Sequence, residues 1–371
     1  MIHVHKPLVG VFVTNSVIKK LRRQEPPFDK NGLQEANREA QVILYFFSIK
    51  DVDLEKQRIT GTYYNEETKR WDTGEYTFPD VIYNRRSEGS TPKIRKFREL
   101  VAAMGIKTIN PINDFNKWEL YCYLSTIPGM KSHLPHTVLY HQEQDMQDML
   151  KQYKTIYLKP AVGRYSRKVV RVKLRQDNLF EYSYVDDHLR LEVAESWDQL
   201  VDFYRPFFNR RNFIVQEAID VFHLNGQHVD FRAELQRNGQ GRLEIVAISA
   251  RLAALNSPVT TTRAGTAVYK FTDLFKTMTN CSDMELFILY NRISDFLLNV
   301  YLNVEKIYGM FGDMGIDFAL DRHLNLWLIE CNAKSAKVAL FMSYEQPVIY
   351  RSFLNPLEYA KFLVDFASAN Y

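Results

Sequence analysis

The stretch Gly315–Lys334, GIDFALDRHLNLWLIECNAK, constrains the chain most. Two apolar runs, 315–320 and 326–331, flank a turn over 321–325, the pattern of a buried antiparallel hairpin. Each run carries a carboxylate: Asp317 in the first and Glu330 near the end of the second, with Asn332 two residues on. Side chains two apart on a strand share a face, so Glu330 and Asn332 project together and Cys331 turns away. Pairing about the turn brings Asp317 opposite Asn332 or Glu330. A charge at the end of a buried strand needs a partner. Two carboxylates and a carboxamide are hard oxygen donors of the kind Mg²⁺ takes together with phosphate oxygens and water. Taken alone, the pattern also suits structural carboxylates at a sheet edge.

Three further signals carry chemistry. In Ile156–Pro160 a lysine, Lys159, interrupts an apolar strand, and the turn Ala161–Ser166 follows it with a glycine, an arginine and a serine. Backbone N–H groups of such a turn can fold over phosphates, with Lys159 as a compact charge; an edge lysine with its head in water is the other reading. FIVQEAI ends an apolar strand with Gln216, Glu217, Ala218 and Ile219, which can read a purine through backbone and side-chain groups. Arg232 and Arg251 lie on paired strands and Arg263 in the loop beyond. A guanidinium forks onto two oxygens of a phosphate or acyl-phosphate, and each of the three equally suits a surface salt bridge.

The pattern of strands and helices divides the chain into three zones. In the first, 1–112, the spacing predicts strands at 8–13, 81–83 and 106–109, a hairpin over 58–78, and helices over 33–48 and 92–104, the last capped by Thr91. This alternation is that of a small open α/β domain, whose ligands sit beyond strand carboxyl ends; Thr14–Ser16 and Asn84–Arg86 are its candidate ligand loops. The second zone, 113–220, carries a helix over 114–125 with Lys117, a strand at 136–140, a helix over 144–153, two strands within 155–174 and a strand at 213–219. The third, 221–371, has a hairpin of 228–236 and 242–251 around Asn238–Gly241, a Thr/Arg/Gly loop at 257–268, a helix over 283–308, the hairpin above, and a helix over 356–368 opened by Pro356.

Composition removes several alternatives. Net charge is +4, and pairs such as Arg22–Arg23, Arg85–Arg86 and Arg210–Arg211 are scattered, unlike the basic stripe of a nucleic-acid binder. The three cysteines, Cys122, Cys281 and Cys331, lack disulfide or zinc spacing. His3 with His5 and His133 with His136 read as surface pairs. The longest apolar run, 42–49, is too short to span a bilayer, and no signal peptide is visible, so a cytoplasmic protein without membrane partners is expected. The 22 Tyr and 24 Phe point to aromatic-rich packing.

The order of the motifs is more specific than any of them. PDVIYNRR, NKWELYCYLS, YLKPAVGRYSRKVVRV, FIVQEAI, VDFRAELQ, GIDFALDRHLNLWLIECNAKSAK and FLNPLEYAKFL together resemble the ATP-grasp superfamily, and within it the YheC/YheD family of endospore coat-associated proteins, over essentially the whole chain. The resemblance implies an α/β (α+β grasp) fold: an N-terminal pre-grasp domain at 1–112, a small lobe at 113–220, and a large lobe at 221–371 holding the metal site and C-terminal helix. It implies ATP with Mg²⁺, two ions, Mn²⁺ being an alternative. By position, Lys117 and Lys159 match the nucleotide-binding lysines and Gln216, Glu217, Ala218 and Ile219 the adenine-reading segment. Arg232 matches the phosphate-side arginine, Asp317, Glu330 and Asn332 the metal ligands, and Arg251 and Arg263 the substrate-side arginines. Ala333–Ser335 stands where many relatives have Pro-Gly. The implied activity is a carboxylate–amine or thiol ligase forming an acyl-phosphate and releasing ADP. Its partners would be small-molecule or peptide carboxylates and amines. The ligand loops suggest a polar, anionic, peptide-like substrate. A catalytically weak or inactive scaffold of the spore coat, in contact with coat proteins, is the alternative.

Overall fold

The computed structural model describes residues 6–86, 89, 91–163, 168–209, 211–260 and 265–369. His3, His5, Arg210 and turn residues 164–167 therefore lie outside it. Three sheets follow one another along the chain. The first contains β1 (Leu8–Phe12), β2 (Ile43–Phe47), β3 (Val52–Asp53), β4 (Arg58–Asn65), β5 (Arg70–Thr77), β6 (Val81–Asn84) and β7 (Lys107–Thr108). Its order is β3-β4-β2-β1-β6-β7, with β5 on β4, and β2-β1-β6-β7 run parallel. Helices α1 (Asn15–Arg22), α2 (Phe28–Ala40) and α3 (Pro92–Ala103) cover it. Thr91 caps α3 by accepting from the Ile94 N–H, with Pro92 at the first position, as the sequence indicates.

One expectation fails here. The segment 33–48 is not a single helix. Gln41 adopts φ +57°, a left-handed end to α2, and the apolar run Ile43–Phe47 becomes a central strand beside β1. A run buried on both faces has no 3.6-residue stripe, so periodicity alone does not separate strand from helix.

The second sheet is antiparallel, in the order β12-β11-β10-β9-β13-β8. Its strands are β8 (Thr137–Leu139), β9 (Thr155–Pro160), β10 (Val170–Leu174), β11 (Phe180–Val185), β12 (Leu189–Ala194) and β13 (Phe213–Glu217). Helices α5 (Glu143–Tyr153) and α6 (Trp197–Phe208) pack on it; α4 (Lys117–Ser125) precedes it. The third sheet runs β17-β16-β15-β18-β19, with β14 (His223–Leu224) on β15. Its strands are β15 (Gln227–Arg237), β16 (Leu243–Leu252), β17 (Ala267–Lys270), β18 (Asp313–Leu320) and β19 (Leu326–Asn332). Helices α7 (Phe271–Thr279) and α8 (Asp283–Tyr308) bury Phe271, Ile293, Leu297 and Val300 against Phe231 and Phe318.

Short helix α9 (Val338–Ser343) leads into α10 (Gln346–Ala369), which packs against α2 and so ties the end of the chain to the first sheet. This helix begins ten residues before the expected Pro356. A proline inside a helix removes one hydrogen bond and leaves the carbonyl four residues earlier unpaired. That carbonyl belongs to Ser352, and the Gln236 amide donates to it at 2.9 Å.

Candidate active site between the second and third sheets

The central hairpin forms in the anticipated register. Asp317 pairs with Glu330 and Gly315 with Asn332, with a bulge after Asp317. β15 lies on the other side of β18, placing Arg232 opposite Asp317, and β16 places Arg251 opposite Asp230. These side chains form a row of alternating charge. Arg232 forks onto Asp317 through Nε and Nη2, the latter at 2.8 Å, and Arg251 reaches the same carboxylate at 3.3 Å. Arg251 in turn forks onto Asp230 at 2.6 and 2.8 Å, and the Thr260 hydroxyl donates to Asp230 at 2.5 Å. Burial alone would raise the Asp317 pKa, but Arg232 and Arg251 outweigh it and hold the carboxyl below its usual range. Gly315 is what admits Arg232: a Cβ there would stand 3.0 Å from its Nη1.

The second sheet and the helix before it supply the lysines. Lys159 projects from β9 and donates to the Gln216 amide oxygen at 2.6 Å; the Gln216 NH₂ donates to Thr137 Oγ1 at 2.8 Å. Burial pulls the Lys159 pKa down to about 8, against the nearby Glu330. Lys117 is the first residue of α4, whose N-terminus Asn116 caps by accepting from Trp118 N–H at 3.1 Å. Its backbone N–H donates to Ala161 O at 2.8 Å, and its ammonium lies 3.1 Å from both Gly163 O and Glu330. Glu330 thus faces Lys117 of α4 on one side and Asp317 of its own sheet on the other.

Two cavities meet here and share Arg251, Thr260, Asp317 and Glu330. One, about 110 Å³, is lined by Tyr157, Lys159, Gln216, Glu217 and Ile219. The other, about 310 Å³, is lined by Arg232, Asn332, Lys334 and the α9 residues Val338 and Met342. Within the 213–219 segment the roles differ. The Glu217 carboxylate accepts from the His136 N–H at 2.7 Å, and Ala218 donates to Thr155 O at 3.1 Å while facing a neighbouring cavity. Arg263 lies outside the described residues.

The donors suit a hard divalent cation: Asp317, Glu330 and Asn332, with their carboxylate and carboxamide oxygens, all line the larger cavity. The Asn332 amide nitrogen is a buried donor without a hydrogen-bond partner, which suits an acceptor such as a phosphate oxygen. No group of three or more His, Cys, Asp or Glu that could hold a metal occurs among the described residues. Both carboxylates are ion-paired to cations of the chain itself, Asp317 to Arg232 and Arg251, Glu330 to Lys117.

A second cluster escapes sequence reading. The Asp313 carboxylate accepts from Tyr83 at 2.6 Å, Lys337 at 2.7 Å and Asn110 at 3.0 Å, with Arg85 at 3.7 Å. Burial would raise its pKa, but Lys337 and Arg85 hold it down to about 2. Arg85 also donates to Ser335 O at 2.7 Å. Arg85 therefore fastens the first sheet to the segment after β19, and Thr14 and Ser16 share a hydroxyl contact of 2.7 Å at the start of α1. Nothing in the spacing of residues 83, 85, 313 and 337 signals their meeting.

Comparison with known proteins agrees with this architecture. The family model described as YheC/D like ATP-grasp matches residues 105–363. The endospore coat-associated protein YheD of Bacillus subtilis (strain 168) is 23% identical over 354 residues, covering 91% of this chain and 75% of YheD. YheC of the same organism is 18% identical, covering 79% of this chain and 81% of its own. Among solved structures, the ATP-grasp ligase PsnB with a minimal precursor superposes with a TM-score of 0.53 at 12% identity, covering 94% of this chain and 99% of its own. The D-cycloserine synthetase DcsG gives a TM-score of 0.52 at 12% identity, covering 95% and 99%. At such identities these likenesses establish the fold. No helix among the described residues is long and apolar enough to cross a membrane. With its family model matched over residues 105–363, the chain belongs to the YheC/D-like ATP-grasp family.

Proposed function

We propose that this chain is an ADP-forming ligase that uses Mg-ATP to join a carboxylate to an amine or a thiol through an acyl-phosphate. The observation that carries this reading is the shared wall of the two cavities, where Arg251, Asp317 and Glu330 stand between a Lys159–Gln216 pocket and a larger polar one. The smaller cavity suits the adenine end of ATP, against Tyr157, Gln216 and Ile219, with its phosphates directed to the shared wall.

Asp317, Glu330 and Asn332 would hold Mg²⁺, two ions or Mn²⁺ in its place, which when bound neutralises phosphate charge and orients the terminal phosphoryl group. Lys159 supplies positive charge from the second sheet, Lys117 from α4, and Arg232 and Arg251 from the third sheet. The substrate carboxylate oxygen attacks the terminal phosphorus, ADP leaves, and the amine or thiol then displaces phosphate from the acyl carbon. These side chains act by holding charge and position. Catalysis requires a change of partners: the phosphates take over Arg232, Arg251 and Lys117, freeing Asp317 and Glu330 for the cation. The relatives named for the endospore coat support a role linked to spore formation in the cytoplasm or coat. The test is product analysis with a panel of amino acids and short peptides as carboxylate and amine. ADP and phosphate formed only with both substrates are expected; AMP and pyrophosphate would contradict the acyl-phosphate route.

One observation favours a second reading. The carboxylates Asp230, Asp317 and Glu330 are already ion-paired within the chain, as in a protein that keeps the fold as a scaffold without turnover. Nucleotide binding without product under any pairing would support it.

A further inference from the structure

Beside the adenine end of the nucleotide pocket lies a cavity of about 370 Å³ to which no role has been given above. It shares Tyr157, Ile219, Val221 and His228 with that pocket and continues past them, away from Asp317 and Glu330. Both lobes build it: Tyr153, Tyr157 and Arg171 from the second sheet and its helix, His223, His228 and Ser257 from the third. Arg171 stands opposite Tyr157 across β9 and β10, half-buried. Among the described residues no carboxylate lies within ion-pair distance of its guanidinium and no hydrogen-bond partner meets it. The cavity also holds two imidazoles, His223 and His228, and one acid, Asp220, which is ion-paired to Arg322; burial lowers the His228 pKa, so that ring serves as a neutral N–H donor. Asp230, next along β15 from His228, is held by Arg251 and Thr260. A half-buried guanidinium with two imidazoles and no free acid is a fork of donors awaiting an anion.

We propose that this cavity binds a phosphate group, held by Arg171 with His223 and His228, as a site separate from the triphosphate site. The phosphate arrives either free, as an ion or on a small phosphorylated metabolite, or on the ribose of an adenine nucleotide whose base fills the adjoining pocket. The second source rests on the ligase reading above. In either case a bound phosphate bridges the two sheets.

The test is calorimetry on the full chain. AMP and adenosine 3′,5′-bisphosphate are titrated first, then inorganic phosphate into the AMP-saturated protein. A ribose-borne phosphate gives the bisphosphate an affinity about tenfold or more above AMP. A free phosphate gives equal nucleotide affinities and a separate phosphate titration beside AMP. Arg171→Ala abolishes either effect, and His223→Ala, at an exposed position, weakens it while leaving the melting temperature unchanged. Absence of both effects in the wild type, or their survival in Arg171→Ala, overturns the proposal. If no nucleotide binds at all, the ligase reading falls. Phosphate binding that persists in Lys159→Ala but not in Arg171→Ala then upholds the pocket, and any other pattern overturns it.

Discussion

Lys159 and Gln216 form one hydrogen-bonded unit: the ammonium donates to the amide oxygen at 2.6 Å, and the amide NH₂ donates to Thr137 at 2.8 Å. The amide orientation is thereby fixed, and Gln216 holds the lysine toward the cavity wall that it shares with Glu330.

Nucleotide affinity follows the protonation of Lys159. Burial lowers its pKa from 10.5 to about 8. Between those values the lysine is neutral in the fold though charged when unfolded, so the fold gains stability as pH rises through that window. The phosphates lose their partner in the same window. ATP affinity measured by calorimetry is expected to be flat below pH 7 and to fall roughly tenfold per pH unit above about 8. Lys159→Met binds weakly throughout and shows no break.

Asp313 governs acid stability. Its pKa lies at about 2 against an ordinary 3.8, so the stabilisation is complete above the ordinary value and is lost as pH falls toward 2. That difference corresponds to about 2 kcal/mol. Urea unfolding between pH 5 and 2 is expected to show this loss in the wild type and a shallower slope in Asp313→Asn. The variant also leaves Lys337 and Arg85 buried without their anion, and is destabilised by about 3 kcal/mol at pH 7.

Pro356 and Gln236, which supplies the donor missing at Ser352, are expected to be coupled. Gln236→Ala leaves the Ser352 carbonyl without its donor, at a cost of about 1–3 kcal/mol. In a Pro356→Ala background the new N–H can take that carbonyl, so the same substitution costs less. A double-mutant cycle by urea denaturation measures the difference; equal costs in both backgrounds would show that the two residues act independently.

At Gly315 a methyl group would press on Arg232 and Ser335, at 3.0 and 3.1 Å. Gly315→Ala is expected to move the Arg232 fork off Asp317 and lower ATP affinity about tenfold, with a cooperative unfolding transition retained. Unchanged affinity would mean that Arg232 gives way without loss.

What could be read in the sequence was what local rules determine. The 315–334 hairpin has a strict apolar pattern and a short turn, so the Asp317–Glu330 register follows from it. The helix at Asp283–Tyr308 carries its Ser282 capping box and a terminal glycine. What could not be read depended on partners far along the chain. Ile43–Phe47 becomes a strand because β1 and β4 flank it. Pro356 sits inside a helix because Gln236 supplies the missing donor. Arg85 lies in a candidate ligand loop, yet its partners Asp313 and Ser335 lie over two hundred residues away. In the segment holding β11, β12 and α6, local signals do mark the helix: Ser196 caps it, and Leu200, Val201, Tyr204 and Phe208 form its buried face. Among the site residues, the strand positions of Lys159, Arg232, Arg251, Asp317 and Glu330 were legible. The ion pairs among them were not, because they depend on how adjacent strands align.

The central claim is that the two cavities joined at Glu330 form a Mg-ATP site. Thermal unfolding with and without Mg-ATP, on the wild type, Lys159→Ala and Glu330→Gln, tests it directly. At about 100 times its dissociation constant the nucleotide stabilises the fold by roughly 2.7 kcal/mol. A Mg²⁺-dependent rise in the wild-type melting temperature, reduced in both variants, is the expected result. No shift in the wild type, or an equal shift in all three proteins, would contradict the account.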